Sequence, residues 1–304
     1  MTLVSEPQAN RFSRRDLLRY SALGIAAVGG GSFLSACSTT DPGNPESAAG
    51  GSLSQRIEDG EPVRIAIGNE PPYTKLLPDG TVTGAEPDVA KAVLERLGVT
   101  EVEGVQTAYE SMIPGLNASR WDMVAAGLFM NKSRCAAVSY TSPVIVSTES
   151  FALPPGNPGG IQTLDDVKNS DVTIAVLAAS FELKTAKSLG VPESKLQTYP
   201  LAPDALQAMD DGRVDAILLP TLSLEALKEQ QGGDFTITEP LDEFPTTGSG
   251  AAFSPSEKEF RDKYNKELEA FKKTAEFAKI LNKWGFPPDA AREATIKELC
   301  ATEG

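Results

Sequence analysis

Histidine is absent from all 304 residues, and cysteine occurs only three times. That removes histidine-based triads, histidine-ligated zinc and imidazole general bases. A carboxylate calcium site is the one metal site still conceivable, and no EF-hand-like spacing occurs. No metal and no cofactor is therefore implied. Among the carboxylates, Glu70 stands out in the loop Gly68-Asn69-Glu70-Pro71-Pro72-Tyr73-Thr74. It could serve as a general acid if its pKa were raised, but nothing pairs it with a second catalytic group.

The cysteines divide by position. Ser13-Arg14-Arg15-Asp16-Leu17-Leu18-Arg19 resembles a twin-arginine export signal, and an apolar stretch from Ala22 to Leu34 follows. That stretch is too short for a transmembrane helix, which needs roughly 20 residues. It ends in Leu34-Ser35-Ala36-Cys37, which looks like a bacterial lipobox. Residues 1–36 are then a signal peptide, and Cys37 carries lipid. A lipidated cysteine anchors the chain while leaving the globular part in water. Residues 37–54, rich in Ser, Thr, Gly, Pro, Asn and Ala, read as a flexible tether. Cys135 and Cys300 remain, in an oxidising compartment, and are expected to pair as a disulfide; the alternative is two buried thiols.

The net charge of −14 excludes the basic footprint that nucleic acid needs. Removing residues 1–36 takes four arginines and two acids, so the mature chain carries −16.

These residues need elements to position them, and the body alternates strands and helices. Val63 to Ile67 reads as a strand, Asp88 to Leu97 as an amphipathic helix stopped by Gly98, and Val102 to Gln106 as a strand. A helix is expected over Tyr109 to Ala118, and strands at Met123 to Ala126 and around Phe151 to Leu153. After Pro154-Pro155-Gly156-Asn157-Pro158-Gly159-Gly160 the rhythm restarts, with strands at Thr173 to Leu177 and Val214 to Leu219. Helices fall over Phe181 to Leu189, Asp204 to Met209 and Leu222 to Gln231. After Thr246-Thr247-Gly248-Ser249-Gly250 come a returning strand, Ala251 to Phe253, and two helices whose Leu268, Phe271 and Phe277 read as core. The βαβ rhythm predicts an α/β fold of mostly parallel sheets in two hinged lobes. Lobe 1 spans residues 55–154 and 248–304, lobe 2 spans 155–247, and the ligand cleft lies between them.

From about Val63 to Cys300 the chain resembles the extracellular solute-binding proteins, family 3, of polar amino-acid-type ABC importers. The carrying segments are Gly84-Ala85-Glu86-Pro87-Asp88-Val89-Ala90, Ile113-Pro114-Gly115-Leu116, Trp121 to Gly127 and Ala208 to Ala216. It is similar, more closely, to the ectoine/hydroxyectoine-binding branch, through Asn69 to Thr74, Gly127-Leu128-Phe129-Met130, Arg134 to Val138 and Lys297-Glu298-Leu299-Cys300. The resemblance implies a two-lobed periplasmic-binding-protein fold (type II) with two hinge crossings. It also implies a zwitterionic small-molecule solute, a permease and its ATPase as partners, and a membrane contact only through Cys37.

The resemblance also assigns roles. Arg134 matches the carboxylate-binding arginine, whose planar fork donates two parallel hydrogen bonds. Tyr73, Tyr109 and Phe129 match aromatic walls that cage a delocalised cation. Glu70 matches the carboxylate that meets the ligand's ring N–H groups. Amino-acid binders of the family end the strand after Gly-Arg-x-Asp-Ala with an aspartate for the α-ammonium, and here Pro220 stands in that place. The branch's glycine-rich turn reads Leu177-Ala178-Ala179-Ser180-Phe181-Glu182, with Phe181 aligned to a threonine. Phe181 is then either a fourth aromatic wall or a lobe-core residue. Ser180 is left to supply polar contact, and Glu182 is the acid able to replace the one missing at Pro220. Ectoine or hydroxyectoine is the expected ligand, with glycine betaine or a polar amino acid as alternatives. A periplasmic cyclic-acid dehydratase and a ligand sensor are remoter ones.

Overall fold

The computed structural model describes residues 51–303. The expected signal peptide, Cys37 and most of the tether lie outside them. The tether's last residues do not behave as a leash. The Ser52 hydroxyl caps a helix, Leu53–Glu58, by accepting from the Gln55 amide, and Leu53 is buried with its own amide bonded to the Glu257 carboxylate.

Two five-stranded sheets carry the fold. In the first, Val63–Ile67 runs parallel to both Val102–Gln106 and Met123–Val124, the latter in the centre of the sheet. Ala252–Phe253 returns antiparallel beside Met123–Val124, and Ser139–Tyr140 closes the far edge. In the second, Ile174–Leu177 runs parallel to Leu196–Tyr199 and Ala216–Pro220, while Glu149–Leu153 and Thr236–Ile237 complete it antiparallel. Every residue of Ile174–Leu177 and of Ala216–Pro220 is buried. Helices cover the strands on both faces, which explains why these runs are apolar without alternation.

The helices supply the covering faces. Ala85–Arg96 starts three residues before the expected Asp88, because Gly84 adopts φ 125 and frees the chain to turn into the helix. Its Ala85, Val89, Ala90, Val93 and Leu94 are buried. Lys258–Phe271 buries Phe260, Tyr264, Leu268 and Phe271 at helical spacing, and Ala275–Lys283 buries Phe277 and Leu281.

The chain crosses between the sheets twice, through Ile145–Ser147 and Thr247–Ser249, which pair antiparallel as a ribbon. This corrects the expected lobe boundary at residue 154. Glu149–Leu153 already hydrogen-bonds to Ala216–Pro220 in the second sheet, so the chain changes lobes before Glu149. The Pro/Gly cluster from residue 154 is a turn inside the second lobe.

Cys135 and Cys300 form a disulfide, with Cα atoms 5.9 Å apart. It ties the short helix Lys132–Ala137 to the C-terminal helix Ile296–Leu299, whose Leu299 packs beside Met112, Leu116 and Trp121. The bridge closes a loop with a sequence separation of 165 residues. Cross-links over loops of this size restrict the unfolded chain strongly, so Cys300→Ser should lower unfolding free energy by about 2–4 kcal/mol in urea titration.

Candidate functional site

The strand ends of both sheets face one cleft. It is lined by Glu70, Tyr73, Tyr109, Gly127, Phe129 and Arg134 from the first lobe, and by Leu177, Ser180, Phe181, Glu182, Leu219 and Pro220 from the second. About 320 Å³ of space lies between these residues, the open mouth included. Every ligand-contact residue expected from the sequence is among these.

Arg134 sits in the short helix Lys132–Ala137, whose N-cap Asn131 accepts from the Arg134 amide at 2.8 Å. The side chain is 95% buried in the sense that only 5% of its residue surface reaches solvent. Its guanidinium donates to the Phe129 carbonyl at 2.8 Å and, across the cleft, to the Ala179 carbonyl at 3.0 Å. It has no carboxylate partner among the described residues. Ala179 itself has φ 55, a conformation that glycine takes freely and alanine does not. That is a physical reason for glycine in this turn elsewhere.

The loop after Val63–Ile67 places Glu70. Its amide donates to Thr74 Oγ1 at 3.1 Å, and the Pro71–Pro72 bond is cis. One carboxylate oxygen accepts from the Ser223 hydroxyl of the second lobe. The other lies 3.0 Å from the Tyr109 hydroxyl, which also sits 2.9 Å from the Ala126 carbonyl. Burial, reinforced by the charge of Glu182, pushes the Glu70 carboxyl up to about 7, against the opposing pull of those hydroxyls. Outside Glu70 and Tyr109 the cleft opens into a wider groove past Asn69, Lys75, Pro200 and Gln230.

Aromatic rings form the wall. Phe129 meets Tyr73 edge-on at 5.7 Å and Phe181 edge-on at 6.0 Å, and Tyr73 continues to Phe286 at 4.9 Å. Phe181, expected either at the cleft wall or in the lobe core, lines the cleft while being buried in the core. Gly127 has φ 66, and a Cβ there would meet the Tyr73 ring at 2.9 Å. Its amide donates to the buried Glu86 at 3.0 Å, which fixes the loop that presents Phe129. Burial holds the Tyr73 and Tyr109 hydroxyls well above their ordinary pKa, so both stay neutral.

Ser180 reaches the cleft, but its oxygen is engaged as the N-cap of Phe181–Ser188, accepting from Leu183 at 3.1 Å. Its proton and one lone pair remain for a ligand. Glu182, in the first turn of that helix, is 3% exposed. Pro220 lines the cleft and offers no charge. Its ladder partner across the sheet is Glu149, a buried acid that sequence reasoning missed. The available signal was an acid opening a fully buried strand.

Residues 63–287 match the bacterial extracellular solute-binding proteins, family 3. The chain belongs to this family. A probable amino-acid ABC transporter periplasmic-binding protein of Sinorhizobium fredii is 34% identical over 249 residues, covering 79% of this chain and 83% of the relative. The L-cystine-binding protein TcyJ of Escherichia coli is 24% identical over 88% of this chain and 95% of its own. Among solved structures, EhuB in complex with hydroxyectoine superposes with a TM-score of 0.78 at 38% identity, covering 82% of this chain and 97% of that one. As a family 3 solute-binding protein, the chain has the two-lobed periplasmic-binding-protein fold. It is the extracytoplasmic substrate-binding protein of an amino-acid-type ABC importer, working with a permease and an ATPase, and not an enzyme. Among the described residues no helix is long and apolar enough to cross a membrane.

Proposed function

We propose that this importer subunit captures ectoine or hydroxyectoine. The observation that carries the reading is a separation of unpaired charge in one buried cleft. Among the described residues Arg134 donates its side chain only to carbonyls, and neither Glu70 nor Glu182 forms a salt bridge. Buried charges of this kind are costly until a ligand pairs them. A zwitterion answers both at once. Its carboxylate takes the Arg134 fork, and its delocalised ring cation lies against Phe129, Tyr73, Tyr109 and Phe181, with N–H groups toward Glu70 and Glu182. Ser180 can add a hydroxyl proton. The likeness to EhuB, solved with hydroxyectoine, supports the same choice.

Closure of the lobes accompanies capture, since Glu70–Ser223 and Arg134–Ala179 already cross the cleft. Export by the twin-arginine signal and a lipid anchor on Cys37 then hold the protein beside its permease.

A polar amino acid is the second reading. Glu182 in the cleft offers a carboxyl to an α-ammonium despite the proline. Isothermal titration against ectoine, hydroxyectoine, glycine betaine and mixed amino acids separates the two. One-to-one binding of ectoine at micromolar or tighter dissociation constant is the expected result. Heat from an amino acid alone would transfer the site to the second reading.

A further inference from the structure

We propose that Glu86 is a positioning residue for solute capture. It ties the loop that presents Phe129 to the hinge strand Thr247–Ser249, so that hinge and ligand wall move as one piece. The proposal deepens the reading of the cleft and rests on the zwitterion reading only for ectoine as its probe.

Glu86 lies in the first turn of the helix Ala85–Arg96 and is 2% exposed. It is not among the residues that line the cleft. One carboxylate oxygen accepts from the Ser249 hydroxyl in the hinge, and the other accepts from the Gly127 amide at 3.0 Å. These donors stand 163 and 41 residues away along the chain. Beyond Phe129, the Met130 amide donates to the Gly248 carbonyl at 2.9 Å. Residues 127–130 are thus fixed to one hinge strand at both ends, through the Glu86 side chain at Gly127 and through backbone at Met130. Phe129 lies between the two anchors, and its carbonyl takes the Arg134 guanidinium at 2.8 Å.

The other hinge strand, Ile145–Ser147, carries a similar tie. The Tyr73 and Ser147 hydroxyls are hydrogen-bonded, and the Tyr73 ring packs over Gly127. Each strand of the ribbon therefore reaches the aromatic wall through one serine.

Energetics argue against a purely stabilising role for Glu86. No cation faces it among the described residues, and burial outweighs both hydrogen bonds, raising its carboxyl above the ordinary range. A well-packed apolar side chain would serve stability at least as well. What an apolar side chain cannot do is hold two buried donors from separate segments at a fixed spacing. With the loop already ordered on the hinge, a ligand does not have to order it, and affinity gains by that amount.

Two substitutions separate the tie from its bulk. Glu86→Gln keeps an oxygen for the Gly127 amide and offers an N–H to the Ser249 oxygen, whereas Glu86→Leu removes both bonds. In calorimetric titration the Gln variant should bind ectoine within threefold of the wild type and the Leu variant at least tenfold more weakly. Equal losses in both overturn the proposal. Hydrogen exchange in the ligand-free protein gives a second readout. The Met130 amide bonds to Gly248 and not to Glu86, yet it should exchange at least tenfold faster in Glu86→Leu. The amides of Ile174–Leu177 in the second lobe should keep their rates. Ser249→Ala, which removes a single hydroxyl, should move Met130 the same way by a smaller factor, and it carries the test if the Leu variant does not fold. A Met130 amide that is unchanged, or that speeds up only together with Ile174–Leu177, overturns the proposal and leaves Glu86 as ordinary support of the fold. If the wild type binds no ectoine, the ectoine reading falls instead, and the exchange arm alone decides the role of Glu86.

Discussion

Arg134→Ala should weaken ectoine binding by a factor of some hundreds to several thousands while leaving the empty protein folded. The magnitude follows from removing one partner of a desolvated ion pair, which costs about 3–5 kcal/mol. The second half of the expectation comes from the empty site. There the guanidinium meets only the Phe129 and Ala179 carbonyls, so its burial is opposed rather than rewarded by the fold. Alanine should therefore unfold within a few degrees of the wild type in the absence of ligand, or above it. Arg134→Lys keeps the charge and loses the planar fork, so it should fall between the two in affinity. Calorimetric titration gives the affinities and thermal unfolding the stability. A fall in stability as large as the fall in affinity would mean that Arg134 is a strut between the lobes and not the anion-binding group.

The cleft residues near strand ends were legible because short motifs carry them. Glu70 and Tyr73 follow Val63–Ile67 within one loop, and Phe129 and Arg134 follow Met123–Val124 within another. Strand ends of an α/β sheet are where ligands lie, so placing the strand places the residue. Phe181 was different. As the first residue of its helix it could turn toward cleft or core, and the edge-on ring of Phe129, distant in sequence, meets it at the cleft wall. Glu149 was invisible for a similar reason. Its neighbours Thr247 and Pro220 are brought to it by two other segments. The lobe boundary was misplaced because the crossing is an extended ribbon with no turn residues at residue 148. The Pro/Gly run that looked like a boundary only reverses the chain within the second lobe.

Glu70 should make ectoine affinity depend on pH near neutrality. Its carboxyl is pushed up to about 7 by burial, from an ordinary 4.5. A cation beside it favours the ionised form, so the bound protein has the lower pKa and binding releases a proton. Ectoine affinity should hence be greatest above pH 7 and fall as pH drops below it. One proton gives up to about tenfold per pH unit, so a loss of roughly 10- to 30-fold is expected between pH 7.5 and 5.5. The stability of the empty protein should respond in the opposite sense. A carboxyl whose folded pKa lies above its unfolded value stabilises the fold fully below the unfolded value, and that contribution is lost as pH rises from about 4.5 through about 7. A shift of this size corresponds to about 3 kcal/mol. Glu70→Gln should remove both trends around neutrality, because an amide neither gains nor loses the proton. Its remaining affinity should resemble that of the wild type at low pH. Dissociation constants measured in parallel from pH 5 to 8 decide the matter. A wild-type constant that does not change over that range would place the ligand's cation away from Glu70, against the rings and Glu182 alone.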